Sequence, residues 1–203
     1  MPADAPVTLR CVSGDAILPW LDALARLRLQ VFREWPYLYD GDEAYERRYL
    51  QTYADASHSL MVLALSEGPA EGRVVGASSG LPMAEAEPAF QAPFRARGID
   101  VAQVFYFGES VLDAGFRGQG LGHRFFDERE AFAQRSGYAI TTFCAVQRPA
   151  DHPARPAHYR PLDAFWQGRG YRRQDGMLTR FSWQDIGDDA ETAKPMQFWT
   201  RGL

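Results

Sequence analysis

The sequence predicts a mixed α/β fold in which one layer of sheet carries helices on both faces. Three observations indicate this. Short apolar runs of strand length alternate with amphipathic segments of helical length. One of these runs, SLMVLAL at 59–65, is too continuously apolar for a strand with one solvated face. No repeat, low-complexity run or linker divides the chain, so we expect one layered domain over residues 1–203.

The first half of the chain predicts three strands and two helices. Apolar residues at helical spacing predict a helix over 17–35 that Pro36 ends, and tyrosines four residues apart mark a second helix over 43–55. The loop between these helices is PYLYDGD. Strands are predicted over 7–13, 59–65 and 73–81, the last two forming a hairpin through the turn SEGPAEG.

The second half repeats the alternation of strands and helices. Residues 84–98 are interpreted as short helix and loop, and 103–112 as one aromatic-rich strand. The remaining predicted elements are a helix at 121–136, a strand at 138–146, a short helix at 162–170 and two final strands, MLTRFSW and MQFWTR.

Composition limits the classes of function. The chain has 203 residues, of which 46% are hydrophobic and 24% charged, and its net charge is −4 without a visible basic stripe for nucleic acid. Cys11 and Cys144 give neither a disulfide framework nor a zinc spacing, so we expect a reducing compartment and no metal. The first residues lack a signal-peptide pattern, and no apolar run could cross a membrane. We therefore expect a cytoplasmic protein without nucleic-acid or membrane partners.

The strongest local signal is RGQGLG, residues 117–122, between a predicted strand and a predicted helix. Backbone N–H groups at a helix start lack intrahelical partners, and the helix dipole is positive there. Small residues let an anion approach, so the segment predicts a diphosphate site. It is neither a dinucleotide turn, because His123 stands at the third glycine position, nor a P-loop, because it has no lysine. A glycine turn without a ligand is the alternative.

The pattern R-x-x-G-x-G, after a strand ending in Val111 and Leu112 and before an aromatic-faced helix, resembles the acetyl-CoA signature of the GNAT (general-control-related) N-acetyltransferase superfamily. The order of elements also matches that fold over nearly the whole chain. The segments PYLYDGD, FYFGESVL, FFDERE and YRPLDAFWQGRGY are similar to a branch of uncharacterised acetyltransferases. The resemblance implies a twisted, mostly antiparallel sheet with splayed fourth and fifth strands, and direct acetyl transfer from acetyl-CoA to a primary amine in a ternary complex.

By this resemblance, two segments would hold coenzyme A. The backbone of the glycine turn would bind the pyrophosphate, and the end of the fourth strand would pair with the pantetheine arm. The residues so implied are Val111, Leu112, Arg117, Gly118, Gln119, Gly120, Leu121 and Gly122. The thioester would then point inward, near Glu109 and Cys144, and no metal is implied.

Acetyl transfer needs a base for the amine and a departing thiolate, although positioning of the two substrates can supply much of the rate. Glu109 is the candidate base, because it interrupts an apolar strand where partial burial would disfavour its charged form. The alternative is that Glu109 bonds to backbone beside Gly108 or meets an arginine. Cys144 is interpreted as core packing and not as an acylated nucleophile.

The acid for the leaving thiolate departs from the family pattern. Many members carry a tyrosine four residues before the glycine that ends the last helix, and this chain has Trp166 there. Tyr159 is the nearby phenol and is the predicted substitute, with water as the alternative. The missing tyrosine also motivates a competing function, a GNAT-fold protein that binds acyl-CoA and transfers nothing.

The acceptor side is implied to be lined by the loop PYLYDGDEAY, through Tyr37, Tyr39 and Asp40. Aromatic rings with acids would suit a cationic amine, although DGD is also ordinary turn chemistry. The acceptor stays open as a small molecule or a peptide: a polyamine, an aminoglycoside, an amino acid or a protein N-terminus. Longer acyl donors and oxygen acceptors are further alternatives. Exposed strand edges and MQFWT could pair with a second copy, so a homodimer is also open.

Overall fold

The computed structural model describes residues 6–56, 58–67 and 72–203. The start of the chain, on which the expectation of no signal peptide partly rests, and residues 68–71 of the predicted turn lie outside the described residues. The strands are β1 Val7–Val12, β2 Leu60–Ser66, β3 Arg73–Pro82, β4 Val104–Tyr106, β5 Ser110–Leu112, β6 Ile140–Val146, β7 Arg172–Gln184 and β8 Glu191–Gly202. The α-helices are α1 Leu21–Phe32, α2 Glu43–Asp55, α3 Pro88–Ala96, α4 Leu121–Arg135 and α5 Asp163–Gly168. Short 3-10 helices cover Gly14–Trp20, Met83–Glu85, Val101–Gln103 and Ala114–Phe116.

The described strands form one mixed sheet in the order β1-β2-β3-β4-β6-β8-β7, and β5 pairs with β3 beside β4. Every pairing is antiparallel except that of β4 with β6. The predicted mixed α/β class with a mostly antiparallel sheet is therefore confirmed.

Helices cover both faces of this sheet, as predicted. One apolar cluster packs β2 and β3 against α1, α2 and α3, and a second cluster packs the opposite face against α4. Strand β2 shows why its sequence is continuously apolar: Met61, Leu63 and Leu65 enter the first cluster, whereas alternate residues enter the second. Successive side chains of a strand point to opposite faces, so a strand covered on both faces has no polar positions.

The predicted strand at 103–112 is wrong in one respect, because the chain breaks it into β4 and β5. The N–H of Gly108 donates to the carbonyl of Ser79 at 3.2 Å, and the N–H of Ser79 donates to the carbonyl of Glu109 at 3.0 Å. Gly108 and Glu109 therefore lie opposite the single residue Ser79, and this arrangement is a β-bulge. A Cβ on Gly108 would lie 1.9 Å from the Oη of Tyr53, so glycine allows this helix residue to approach the bulge.

The boundaries of three other predicted elements also move. The predicted helix at 17–35 is a 3-10 turn to Trp20 followed by α1, which ends at Phe32. Pro19 lies in the 3-10 part, where its missing N–H is tolerated more easily than inside an α-helix. The two final strands are longer than predicted, because the polar segment before Met196 pairs with β7 in register up to Glu191 opposite Gln184.

The bulge gives a first prediction. A Gly108→Ala substitution should lower the free energy of unfolding by about 1–3 kcal/mol, the usual cost of overpacking, because Tyr53 and Ser79 must move. Chemical denaturation would measure this loss. Adding Tyr53→Phe removes the hydroxyl nearest the new methyl and should restore part of the stability.

Gly168→Ala is the matched control, because a Cβ there meets nothing within 4 Å and the residue lies in α5. This variant should be as stable as the parent or slightly more stable. Equal stability of the Gly108→Ala variant and the parent would contradict the close packing of Tyr53 on the bulge.

Candidate active site

Beyond the bulge, strands β5 and β6 separate and leave one edge of β5 open. Strand β4 pairs with β6 through Tyr106 opposite Thr142, and the N–H of Phe107 still donates to Thr142 at 2.7 Å. After the bulge the chain pairs only with β3 among the described residues. The gap between β5 and β6 is therefore an edge to which an extended ligand could add as a strand.

The open edge is formed by Ser110 and Leu112. Val111 lies opposite Ala77, and the bonds on either side of this pair join β5 to β3. Because hydrogen bonds alternate along an antiparallel ladder, the backbone of Val111 faces β3 and its neighbours face the gap. The Leu112 carbonyl already accepts from the Nε of Arg117 at 3.1 Å. Of the two residues predicted to pair with a pantetheine arm, Leu112 faces the gap, whereas Val111 contributes a buried side chain.

The glycine turn after β5 forms an open concave surface at the start of α4. Gly118 and Gly120 both have a φ of 77°, a left-handed conformation that favours glycine, and a Cβ on either would meet nothing within 4 Å. Gly120 is the N-cap of α4, and Leu121 is buried beneath the turn. No described residue accepts a hydrogen bond from the N–H of Gly120, Leu121 or Gly122. The turn can therefore bind an anion at the positive end of the helix dipole.

The side chain of Arg117 is engaged elsewhere. Its guanidinium forms two hydrogen bonds with the Glu34 carboxylate, at 2.7 and 3.0 Å, in addition to the bond with the Leu112 carbonyl. Glu34 follows α1, so Arg117 connects the end of that helix with the start of the glycine turn. Arg117 therefore shapes the turn from outside, and the anion-binding groups of the turn are backbone N–H groups.

On the other side of the bulge, α1, α2, the start of α3 and the last two strands enclose a cavity of about 470 Å³. The residues predicted to line an acceptor site, Tyr37, Tyr39 and Asp40, all line it, as does Glu109. The bulge is therefore a shared wall between the open edge of β5 and the cavity.

A buried ion triad forms the inner part of the cavity. The Arg28 guanidinium pairs with Glu46 through its Nε and with Glu109 through one terminal nitrogen at 2.8 Å. Burial alone would lower the pKa of Arg28, but Glu109, Tyr49 and Glu46 together raise it well above its ordinary value. Both structural features that were weighed against a catalytic role for Glu109 are present. The residue pairs with an arginine, and it lies at a strand irregularity beside Gly108.

Two tyrosines of α2 connect the triad to the bulge. The hydroxyl of Tyr49 donates to Glu109 at 3.0 Å and lies 3.1 Å from the hydroxyl of Tyr53. The guanidinium of Arg28 lies over the ring of Tyr49, 4.2 Å from its centroid. Burial, and after it the charge of Glu109, raises the pKa of Tyr49 well above its ordinary value. Tyr49 therefore keeps its proton, and its hydrogen bond to Glu109, at neutral pH.

Arg129 supports the bulge from the opposite face of the sheet. Its guanidinium donates to the carbonyls of Ser79 and Glu109, at 3.3 and 3.1 Å, and to the hydroxyl of Ser110 at 2.9 Å. It is 1% exposed and forms no ion pair with a described residue. Burial therefore lowers the pKa of Arg129 to about 10. A positive charge thus lies directly behind the strand break.

The loop that carries Tyr37 and Tyr39 is held in place by a second buried network. Arg148 donates to both oxygens of Asp185, at 2.6 and 2.8 Å, and to the carbonyls of Pro36 and Tyr37. Asp185 also pairs with Lys194 at 3.2 Å. These bonds fix the loop against β7 and β8, so the cavity wall is built before any ligand binds.

The structure does not bring the predicted acid, Tyr159, into the cavity wall. Its ring packs edge-on against Trp35, with ring centroids 5.9 Å apart. Trp166, at the position where a tyrosine was expected, packs between Phe143 and Trp199.

A third phenol, that of Tyr106, lies at the end of β4 just before the strand break. Its hydroxyl lies 3.3 Å from the Sγ of Cys144. Burial raises the pKa of the Cys144 thiol to about 12, so this cysteine stays protonated, as expected for core packing. Burial also raises the pKa of Tyr106, which keeps its proton at neutral pH.

Arg28, Glu46 and Arg129 are site residues that the sequence did not predict, although each carries a readable signal. Arg28 lies four residues from both Leu24 and Phe32, Glu46 four from Leu50, and Arg129 four from both Phe125 and Ala133. A charged residue at helical spacing from core residues shares their buried face. Such a residue must find a partner inside the fold, and that requirement marks it as a candidate for a site.

The described part of the chain lacks two kinds of feature. Its helices are all too short or too polar to span a lipid bilayer. Nor do three or more of its histidine, cysteine, aspartate or glutamate side chains come together as ligands for a metal ion.

Comparison with known proteins identifies the fold. No family model matches the sequence, and no curated protein is significantly similar to it. Among solved structures, a ribosomal-protein-alanine N-acetyltransferase from Brucella melitensis is 14% identical with a TM-score of 0.61, covering 97% of this chain and 99% of that one. A GCN5-related N-acetyltransferase from Kribbella flavida is 17% identical with a TM-score of 0.58, covering 97% and 98%.

A third structure contains the coenzyme. The phosphinothricin acetyltransferase from Sinorhizobium meliloti, in complex with AcCoA, is 17% identical with a TM-score of 0.60, and the match covers 97% of this chain and 88% of that chain. The chain therefore has the fold of the GNAT N-acetyltransferases, and the predicted resemblance is confirmed for the fold.

The buried triad gives a second prediction. An Arg28→Met substitution leaves two carboxylates facing each other in a buried site, and it should lower the free energy of unfolding by about 3–5 kcal/mol. Arg33→Met is the matched control at the end of the same helix, because the Arg33–Asp40 pair is exposed. This control should cost less than about 1 kcal/mol. Equal losses in the two variants, measured by urea denaturation, would contradict a structural role for the triad.

Proposed function

We propose that this chain is an N-acetyltransferase that moves an acetyl group from acetyl-CoA to a primary amine by direct transfer in a ternary complex. One observation carries the proposal: the bulge at Gly108 and Glu109 ends the open edge of β5 on one side and forms the cavity wall on the other. A donor lying along the edge and an acceptor in the cavity would meet at this bulge. Bringing two reactants together in this way lowers the barrier by itself.

The donor side fits a coenzyme with a diphosphate and an amide-rich arm. The glycine turn offers backbone N–H groups without acceptors at the start of α4, which suit a diphosphate. Ser110 and Leu112 offer strand-edge groups to the arm. The similar phosphinothricin acetyltransferase binds AcCoA on the same fold, which supports acetyl-CoA as the co-substrate here.

We assign the proton acceptor to Glu109. Its carboxylate lies in the cavity wall at the strand break, where a substrate ammonium would approach the thioester. The Arg28 ion pair and the hydrogen bond from Tyr49 fix its orientation. In the step proposed, the amine gives a proton to Glu109, its nitrogen bonds to the acetyl carbon, and the carbon–sulfur bond breaks. The protonated thiol of Cys144 argues against an acyl-cysteine intermediate.

The proton for the departing thiolate is assigned to Tyr106 and not to Tyr159. Tyr106 lies on β4 at the point where β6 turns away, beside Cys144, and its phenol keeps its proton at neutral pH. Tyr159 packs on Trp35 and does not line the cavity. Arg129 behind the break would favour the negative charge that develops on the thioester oxygen and sulfur.

The second candidate function is a binding protein that holds acyl-CoA without transfer, and Trp166 favours it because the expected phenol is absent there. The cavity weighs against it, since a binding protein needs no second compartment at the thioester end. Turnover of any amine with acetyl-CoA would exclude it.

The donor site gives a third prediction. Acetyl-CoA at about 100 times its dissociation constant should raise the free energy of unfolding by about 2.7 kcal/mol, seen as a higher melting temperature. Gly122→Glu should abolish most of this increase, because a carboxylate in the first turn of α4 repels the diphosphate. The same carboxylate favours the helix dipole, so the variant without ligand should melt no lower than the parent.

Gly122→Gln is the control of equal size, and it should retain most of the response to acetyl-CoA. A Cβ at this position meets only Phe165, at an ordinary 3.6 Å, so neither variant should disturb the fold. A full response in the Gly122→Glu variant would contradict the diphosphate site.

The chemical step gives a fourth prediction. Glu109→Gln should lower kcat about 100-fold or more, the typical share of a general base, and Tyr106→Phe should lower it about tenfold. Both variants should still respond to acetyl-CoA in thermal unfolding, because neither residue lies at the glycine turn. Tyr159→Phe is the control and should keep kcat within about twofold, since general-acid effects are larger than this. A fall in kcat for Tyr159→Phe alone would return the acid role to Tyr159.

A further inference from the structure

The cavity on the acceptor side is strongly unbalanced in charge. Seven of its described lining residues are carboxylates, whereas Arg28 is the one described guanidinium or ammonium among them. Glu46 and Glu109 already engage that guanidinium, and Asp40 pairs with Arg33 outside the cavity. The lining therefore has an excess of negative charge without counting Asp40.

Five of these carboxylates fall into two zones. The inner zone is Glu46 and Glu109, both buried at the bulge end with Arg28. The outer zone is Asp42, Glu87 and Glu191, which are exposed and form no ion pair with any described residue. Tyr45 lines the same cavity, and burial, and after it the charges of Glu46, Glu87 and Glu191, raise the pKa of its phenol.

A buried carboxylate oxygen at the inner end of the cavity adds a second, geometric observation. The side chain of Glu46 is 0% exposed, and its Oε1 has no hydrogen-bond partner among the described residues. The phenol of Tyr39 lies beside this carboxylate, and burial, followed by the charge of Glu46 and a hydrogen bond to it, raises the pKa of that phenol. A buried carboxylate oxygen without a donor is costly unless a ligand supplies one.

The walls between the zones suit the body of a cation. Ten of the described lining residues are aromatic, and α2 presents Tyr45 and Tyr49 along the length of the cavity. Ring faces attract ammonium groups, and their edges cover methylene chains. The cavity therefore combines apolar walls with acidic ends.

The same lining disfavours an acceptor that carries a carboxylate. Such a group needs a cationic partner in the cavity, and the guanidinium of Arg28 is already shared by two glutamates. A further anion would instead face the carboxylates of the outer zone, which have no cationic partner among the described residues, and this is repulsive.

We infer that the acceptor is a diamine or polyamine, whose reacting amine lies at Glu109 and whose second ammonium lies among Asp42, Glu87 and Glu191. The inference rests on the proposed function for the position of the reacting amine. The binding of the second ammonium is a separate property of the cavity and can be measured without turnover.

Three probes of matched length test it: 1,5-diaminopentane, pentylamine and L-lysine. The diamine should have a kcat/KM about three- to tenfold above that of pentylamine, because one more ammonium meets exposed carboxylates. L-lysine, which adds a carboxylate to the diamine, should be lower than the diamine by about tenfold or more. Pentylamine equal to the diamine, or L-lysine equal to it, would overturn the inference.

A pair of double variants locates the effect. Glu87→Gln with Glu191→Gln should bring the ratio of diamine to pentylamine towards one. Glu67→Gln with Asp188→Asn removes two exposed carboxylates that do not line the cavity, and it should keep the parent ratio. If both double variants lower the ratio equally, the preference reflects net charge and the inference fails.

Calorimetric titration of the full chain with each probe, in the presence of coenzyme A, separates this inference from the proposed function. Binding of the diamine without acetylation would support the cavity assignment and contradict the transferase. Acetylation of pentylamine without tighter binding of the diamine would support the transferase and contradict the cavity assignment. If the diamine does not bind at all, the inference is overturned.

Discussion

The shape of the site depends on one buried guanidinium. Arg28 reaches from α1 to Glu46 on α2 and to Glu109 on the bulge, so it joins two helices to the strand break. Without it, two buried carboxylates would have no cationic partner, and an isolated ion in a low dielectric is far less stable than in water. The position of the candidate base, the packing of α1 on α2 and the inner end of the cavity therefore have one common cause.

The bulge has the complementary role. It ends the pairing of one strand, frees an edge for a ligand and turns a carboxylate towards the cavity. Arg129 and Tyr53 approach it from opposite faces of the sheet, one bonding to its carbonyls and the other occupying the space over Gly108. A strand break of this kind persists when surrounding groups satisfy its backbone, so donor edge and acceptor wall are maintained together.

Much of this architecture was predictable from periodicity. The limits of α2 match its prediction and those of α4 differ by one residue, because both helices have regular apolar faces and clear starts. The continuous apolar run of β2 correctly indicated a sheet covered on both faces. The break at 107–109 was not predictable, because it depends on Ser79 and Tyr53, which belong to other elements. The candidate site divides in the same way: Glu109 stood out in an apolar strand and Arg28 lies at helical spacing from core residues, whereas their pairing required the tertiary fold.

Lys194 is the single lysine of the sequence, and its other strongly basic side chains are all arginines. Its ammonium is enclosed: it is 4% exposed, donates to the carbonyl of Trp183 and pairs with Asp185. The folded chain therefore presents no accessible ε-amino group to reagents that acylate amines. Activated-ester dyes and amine-coupling surfaces should therefore leave Lys194 unmodified while the chain stays folded.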